Sequence, residues 1–172
     1  MLTATKPRVT EILKATGYID TRWYTEAGRD RGTKLHECTE AIDVLGLPID
    51  TWPEYEAKLK TWVEWKADTG AVIKAVEQSV ESDEYIGRCD RVVSVYGSLW
   101  VVDIKSGSKQ YWHKLQVTAY ALALGLDRGL IVYLGMGKRG REVQVDFDFP
   151  QYAQEWAAAV ERYKTLGEGN GL

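Results

Sequence analysis

The residues able to do chemistry gather at the end of one apolar run, Trp100-Val101-Val102-Asp103-Ile104-Lys105-Ser106-Gly107, which closes on an acid, an apolar residue and a base. Side chains alternate across a strand, so Asp103 and Lys105 project from one face while Ile104 points into the other. A carboxylate so placed can hold a hard cation, and a lysine two residues on can steer or deprotonate a water beside it. Acid-x-Lys tripeptides are frequent, and most are solvated strand ends. Three other stretches change the odds here. Tyr85 to Val93 supplies a second acid, Asp90; Gln116 and Tyr120 stand one helical turn apart; and Gly32-Thr33-Lys34-Leu35-His36 brings an imidazole.

Positioning these groups requires a hairpin. Tyr85 to Tyr96 reads as a strand, and Gly97-Ser98 as the tight turn into a second strand from Leu99 to Lys105. The returning strand runs toward the end of the first that carries Asp90, so Asp103 and Lys105 arrive beside it. Two carboxylates about 4 Å apart repel by roughly 4 kcal/mol at an effective dielectric of 20, and a cation between them turns that repulsion into binding. After Ser106-Gly107-Ser108, a helix from Gln110 to Leu124 buries Leu115, Ala119, Leu122 and Ala123. Its neighbouring stripe of Trp112, His113, Gln116 and Tyr120 overhangs the strand end.

Upstream, Thr10 caps a short helix that ends near Gly17. Trp23 and Tyr24 follow in a connector, where they either cover the core or stack against bases. Leu35, Cys38, Ile42 and Leu45 recur at helical spacing, which sets a longer helix from about Ala27 to Leu45. Thr33, His36 and Glu40 share a neighbouring face of it, and Thr33 and Trp112 are further candidates for substrate contact. Pro53 opens a third helix through about Lys66, and Asp68-Thr69-Gly70 is a turn. Ala71 to Val80 is a strand whose Glu77 is either an outward residue or a supporting metal ligand. Further strands span Gly129 to Leu134 and Glu142 to Phe149 around Gly135-Met136-Gly137-Lys138-Arg139-Gly140, a basic hairpin tip that lacks the spacing of a nucleotide loop. Pro150 begins a last helix to about Leu166, before a short tail expected to be mobile.

At 172 residues and 45% hydrophobic content the chain is expected to form one domain with a sizeable core. In it, N-terminal helices (about residues 8–66) pack on the strands. No apolar run reaches membrane-spanning length and the N-terminus lacks signal-peptide character, so a cytoplasmic protein is expected, with no membrane partner. Two cysteines are too few for a disulfide scaffold or an iron–sulfur cluster. The net charge of −3 argues against gripping long nucleic acid by phosphate neutralisation alone, yet it does not exclude a nuclease, whose gathered acids are offset by bound metal.

Taken in order, Gly32-Thr33-x-x-His36, Gly87-x-x-Asp90, Asp103-Ile104-Lys105 and Gln116-x-x-x-Tyr120 resemble the motif series of the PD-(D/E)xK nuclease superfamily, and within it the RecB-like exonucleases. Any one motif is common; four in order on helix, strand, strand and helix are fairly specific. The resemblance implies an α/β fold with a mixed central sheet flanked by helices, a restriction-endonuclease-like core of order αβββαβ. It implies a divalent-metal-dependent DNA exonuclease using magnesium or manganese, in repair, recombination or phage DNA processing, with DNA and a recombination or helicase protein as partners. Alternatives are an endonuclease on the same fold and a non-catalytic nucleic-acid-binding module derived from it.

By the same resemblance His36, Asp90, Asp103 and the backbone carbonyl of Ile104 look like metal ligands, with Glu77 the spare acid for a second ion. Asp90, Asp103 and Lys105 look catalytic, while Gln116 and Tyr120 position the DNA strand or support the lysine. Lys105 acts either as a base with a depressed pKa or as a protonated group stabilising negative charge. Two departures stand out: Cys89 replaces the proline of the superfamily's name, and the second acid is Asp103 where many relatives carry glutamate. The four cysteines with which some relatives bind an iron–sulfur cluster are missing.

Overall fold

The computed structural model describes residues 5–22, 25–136, 140–144 and 148–169. Helices α1 (Val9–Ala15), α2 (Glu26–Leu45) and α3 (Glu56–Thr69) come first, with a single 3-10 turn at Ile49–Thr51. Strands β1 (Val72–Glu81), β2 (Ile86–Val95) and β3 (Ser98–Lys105) follow, then α4 (Trp112–Ala123), β4 (Gly129–Leu134), β5 (Arg141–Gln144) and α5 (Phe149–Gly169). The five strands form one sheet in the order β1-β2-β3-β4-β5, antiparallel except for the parallel pair β3–β4. That parallel step requires a crossover, and α4 supplies it. The expected αβββαβ core and mixed sheet are therefore present, with β5 added at the far edge.

Helices cover both faces of the sheet. Val92, Val101, Ile131 and Tyr133 pack on one side against Ile12 and Leu13 of α1, Leu115 and Ala119 of α4, and Trp156 of α5. Val93, Val102, Ile104 and Val132 pack on the other against Leu35 of α2 and Leu59, Trp62 and Trp65 of α3. A strand buried on both faces needs apolar residues at every position rather than at alternate ones. Gly129-Leu130-Ile131-Val132-Tyr133-Leu134 is such a run, and all six residues are buried. Cys38 and Cys89 are buried free thiols.

Several boundaries differ from the sequence expectation for local reasons. The cap of α1 is Arg8 rather than Thr10, with Glu11 reaching back to the Arg8 backbone N–H. Thr25 caps α2 by accepting from the Gly28 N–H. Helix α3 starts at Glu56, since Pro53 lies in the turn before it, and it continues through Asp68 and Thr69 to a left-handed Gly70. The hairpin turn is Tyr96-Gly97 rather than Gly97-Ser98: Val95 pairs with Ser98, and both turn residues have positive φ, 52° and 74°. A two-residue turn of that kind matches the twist of the strands it joins. Helix α4 begins at Trp112 rather than Gln110. At the C-terminal end Phe149 opens α5 rather than ending a strand, and α5 continues past Leu166 to Gly169. Trp23, Tyr24, the basic tip at 137–139, residues 145–147 and the last three residues lie outside the described residues.

Gly87 is fixed by packing. A β-carbon there would lie 2.5 Å from Cε1 of Tyr120, whose side chain is itself buried. Gly87→Ala is therefore expected to destabilise the protein by about 1–3 kcal/mol through overpacking, read as a lower urea midpoint at unchanged slope.

Candidate active site

Strands β2 and β3 stay paired from Val95–Ser98 down to Arg91–Val102, and there the ladder stops. Beyond it the Ile104 N–H donates to Oδ2 of Asp90 at 2.7 Å, so a side-chain carboxylate takes the place of a strand carbonyl. Extending that register sets Asp90 opposite Asp103. On its other side, the pairs Val76–Arg91 and Gln78–Cys89 set Glu77 opposite Asp90. One row across three strands thus carries three acids, Glu77, Asp90 and Asp103. Glu77 has φ of +48° in mid-strand, a left-handed conformation that costs a non-glycine residue about 1–3 kcal/mol and that gathers at functional sites.

Helix α2 delivers His36 to this row, with Nδ1 3.4 Å from Oδ1 of Asp90. One ligand atom each from His36, Glu77 and Asp90 lie within 4.8 Å of one another. Donors about 2.1 Å from a shared octahedral ion stand roughly 3–4 Å apart, so this trio is loosely preformed for a cation. Asp103 lies outside the trio and is engaged by Lys105: Nζ sits 2.8 Å from its Oδ2. Asp103 is buried, and the ammonium is its close counter-charge. A mixed imidazole and carboxylate set with a further buried carboxylate beside it fits a magnesium or manganese ion.

Lys105 is held from a second direction. Its Nζ donates to Oε1 of Gln116 at 3.0 Å, and Nε2 of Gln116 donates to the Tyr120 hydroxyl at 3.0 Å. Gln116 and Tyr120 are both buried, and Gln116 links the Tyr120 hydroxyl to the lysine. The Trp112 ring stands 5.4 Å from Nζ. His36, Lys105, Trp112 and Arg29 line a cleft of about 420 Å³ that opens onto the site. Thr33 is exposed on α2 and does not line it.

The charges set one another. Burial raises the Asp103 carboxyl to about 6, with Asp90 adding to the rise and Lys105 opposing it. Burial would raise Asp90 too, but His36, Lys105 and the Ile104 N–H outweigh it and hold this acid below its ordinary value. His36 moves up: burial disfavours its charged form, but the Asp90 carboxylate facing it prevails. Glu77 is raised by burial and by Asp90. The cluster therefore holds more negative charge than it can comfortably keep, a state that a divalent cation relieves.

Two buried charged residues had no reading in the sequence analysis. Arg91 and Asp43 have side chains closed to solvent and meet at 2.7 Å. The signal was present in Asp90-Arg91-Val92-Val93: an arginine inside an apolar strand run needs a buried partner. What hid the partner is distance, since Asp43 belongs to α2.

Among solved structures, the alkaline exonuclease from Laribacter hongkongensis in complex with dAMP matches with a TM-score of 0.51 at 11% identity, over 96% of this chain and 95% of that one. A phage related exonuclease from Haemophilus somnus 129PT matches with a TM-score of 0.46 at 16% identity, over 97% of each chain. At such identities the likeness is one of fold. The sequence finds no match among curated proteins. Among the described residues no helix is long and apolar enough to cross a membrane. The sequence profile of the PD-(D/E)XK nuclease superfamily matches residues 43–170, a span that holds Glu77, Asp90, Asp103, Lys105, Gln116 and Tyr120, and the chain belongs to that superfamily.

Proposed function

We propose that this protein is a divalent-metal-dependent DNA exonuclease that hydrolyses phosphodiester bonds. The observation that carries the reading is the meeting of His36, Glu77 and Asp90 within 4.8 Å, with Lys105 braced by Gln116 and Asp103 alongside. His36, Asp90, Asp103 and Glu77 would hold magnesium or manganese, with the Ile104 carbonyl as a further ligand. When bound, such an ion supplies charge neutralisation at the phosphate and an acidified water. Lys105, which lines the cleft beside Asp103, would serve that chemistry as a base or as a positive charge. Its bonds to Gln116 and Asp103 fix Nζ before substrate arrives, so little reorganisation is left for the transition state. The ammonium, which only donates, takes the Gln116 oxygen, and the Tyr120 hydroxyl accepts from the amide nitrogen on the other side. Trp112 and Arg29 at the cleft mouth suit a base and a phosphate respectively.

The exonuclease reading is tested by comparing linear with covalently closed circular DNA in magnesium or manganese, with a chelator as control. Loss of linear DNA with circles spared is expected. Equal digestion of circles would make the protein an endonuclease on the same fold, and DNA binding without cleavage in either metal would make it a binding module.

Protons compete with the ion for these donors. Because the Asp103 carboxyl is raised to about 6 and His36 is raised as well, both carry protons at acidic pH, and both must lose them for a cation to bind. Manganese affinity is therefore expected to begin falling already near neutral pH, where the raised His36 takes up its proton, and to fall more steeply below about 6 as Asp103 joins it, by roughly tenfold per unit for each competing proton. Titration calorimetry between pH 5 and 8 checks this, and a flat profile would contradict the ligand set.

A further inference from the structure

One guanidinium touches the supports of every member of the candidate metal trio. Arg91 donates through Nε to Oδ2 of Asp43 at 2.7 Å, through Nη2 to Oγ1 of Thr39 at 3.1 Å, and through Nη1 to the backbone carbonyl of Asp90 at 2.7 Å. The same Nη1 lies 3.7 Å from Oε1 of Glu77. Thr39 passes the contact on, since its hydroxyl donates to the His36 carbonyl at 2.9 Å. His36, Thr39 and Asp43 are spaced i, i+3 and i+7, so they form one stripe of α2 facing β2.

We propose that Arg91 is a positioning residue that sets the register of α2 on the sheet, and thereby the distances among His36, Glu77 and Asp90 on which metal binding depends. The inference rests on the metal reading above and adds a cause for its geometry. A helix packed on a sheet through apolar side chains alone can slide by fractions of an ångström at small cost. A planar fork with donors aimed at fixed acceptors on both elements cannot. The far end is pinned as well: Asp43 also accepts from Nε1 of Trp62 at 3.1 Å and from Lys66, both on α3. Arg91 thus links α2, α3, β2 and the strained Glu77 of β1 through one side chain. Removing one partner of a buried ion pair is costly chiefly when it strands the other charge, and Asp43 keeps Lys66 and Trp62, which makes the two roles separable.

The test is manganese binding to the DNA-free protein, measured by calorimetry for the wild type, Arg91→Met and Arg91→Lys, with metal-free thermal melts alongside. Arg91→Met leaves no orphaned charge at Asp43, which keeps Lys66 and Trp62 as partners. Its manganese affinity is expected to fall at least tenfold in protein that remains folded. Arg91→Lys, which can reach some of these acceptors but not all, is expected to fall by about threefold. In cleavage assays the KM for DNA stays at the wild-type value, while kcat drops at low manganese and recovers at high manganese. Folded Arg91→Met that binds manganese like the wild type overturns the proposal, whatever its melting temperature. Should Arg91→Met not fold, wild-type affinity in Arg91→Lys overturns it and weakened affinity supports it. A wild type that binds no manganese sinks the metal reading itself and this inference with it.

Discussion

Asp90→Asn is expected to reduce DNA cleavage by at least about a thousandfold at saturating manganese, roughly 4 kcal/mol of lost transition-state stabilisation. The substitution removes the charge and keeps the shape. An asparagine oxygen can still accept from the Ile104 N–H, so the junction of β2 and β3 is preserved and the melting temperature of the metal-free protein should stay close to wild type. What is lost is the carboxylate that stands beside both His36 and Glu77 and holds the His36 imidazole ready. Manganese binding should fall with activity, because this acid belongs to two of the three pairs in the trio. The measurement is a time course on labelled linear DNA, paired with calorimetry for the metal. Full activity in Asp90→Asn would remove the row of acids from the mechanism.

Lys105→Met should separate chemistry from metal binding. Cleavage is expected to drop by about 10²–10⁴-fold, the range for losing a positioned proton-transfer group. Manganese affinity at pH 8 should change by less than about threefold. Lys105 donates to Gln116 and pairs with Asp103, but it contributes no ligand, and removing its ammonium takes a like charge away from the cation. Asp103 is then left buried without its counter-charge, so its carboxyl should rise further and the acid limb of metal binding should move to higher pH. A variant that loses metal and activity together would show Lys105 to be part of the scaffold of the site rather than of its chemistry.

These two variants, with the arginine pair, would divide the proposed site into residues that hold charge, residues that use it and residues that set distances. The first two groups were legible in the chain. Asp103-Ile104-Lys105 announces itself because a strand places the acid and the base on one face whatever surrounds them. Asp90 could be brought beside it from the hairpin alone, although the turn proved to be Tyr96-Gly97, one residue earlier than glycine and serine suggested. Gln116 and Tyr120 were recognisable as a helical pair, yet the sequence left open whether they meet DNA or the lysine. That Gln116 meets Lys105 and Tyr120 meets Gln116 depends on how α4 lies across the sheet.

Glu77 shows the limit most clearly. In the sequence it is one polar residue in an irregular strand, equally readable as a solvated position. Its left-handed backbone, its place opposite Asp90 and its contacts with Arg88 at 3.0 Å and Arg91 at 3.7 Å arise only when β1 is paired in register. Asp43 and Arg91 are the same kind of case from opposite ends of the chain. By itself, then, the amino-acid sequence determined the strand and helix periods and the local Asp103–Lys105 pair, because these follow from alternation and spacing within a few residues, while the family showed in the order of motifs from Gly32 to Tyr120. Tertiary structure alone decided which acids share the trio with His36, and which buried arginine reaches Asp43, Thr39 and the Asp90 carbonyl behind them. Those choices depend on helix-to-sheet register, a relation between segments that no local pattern encodes.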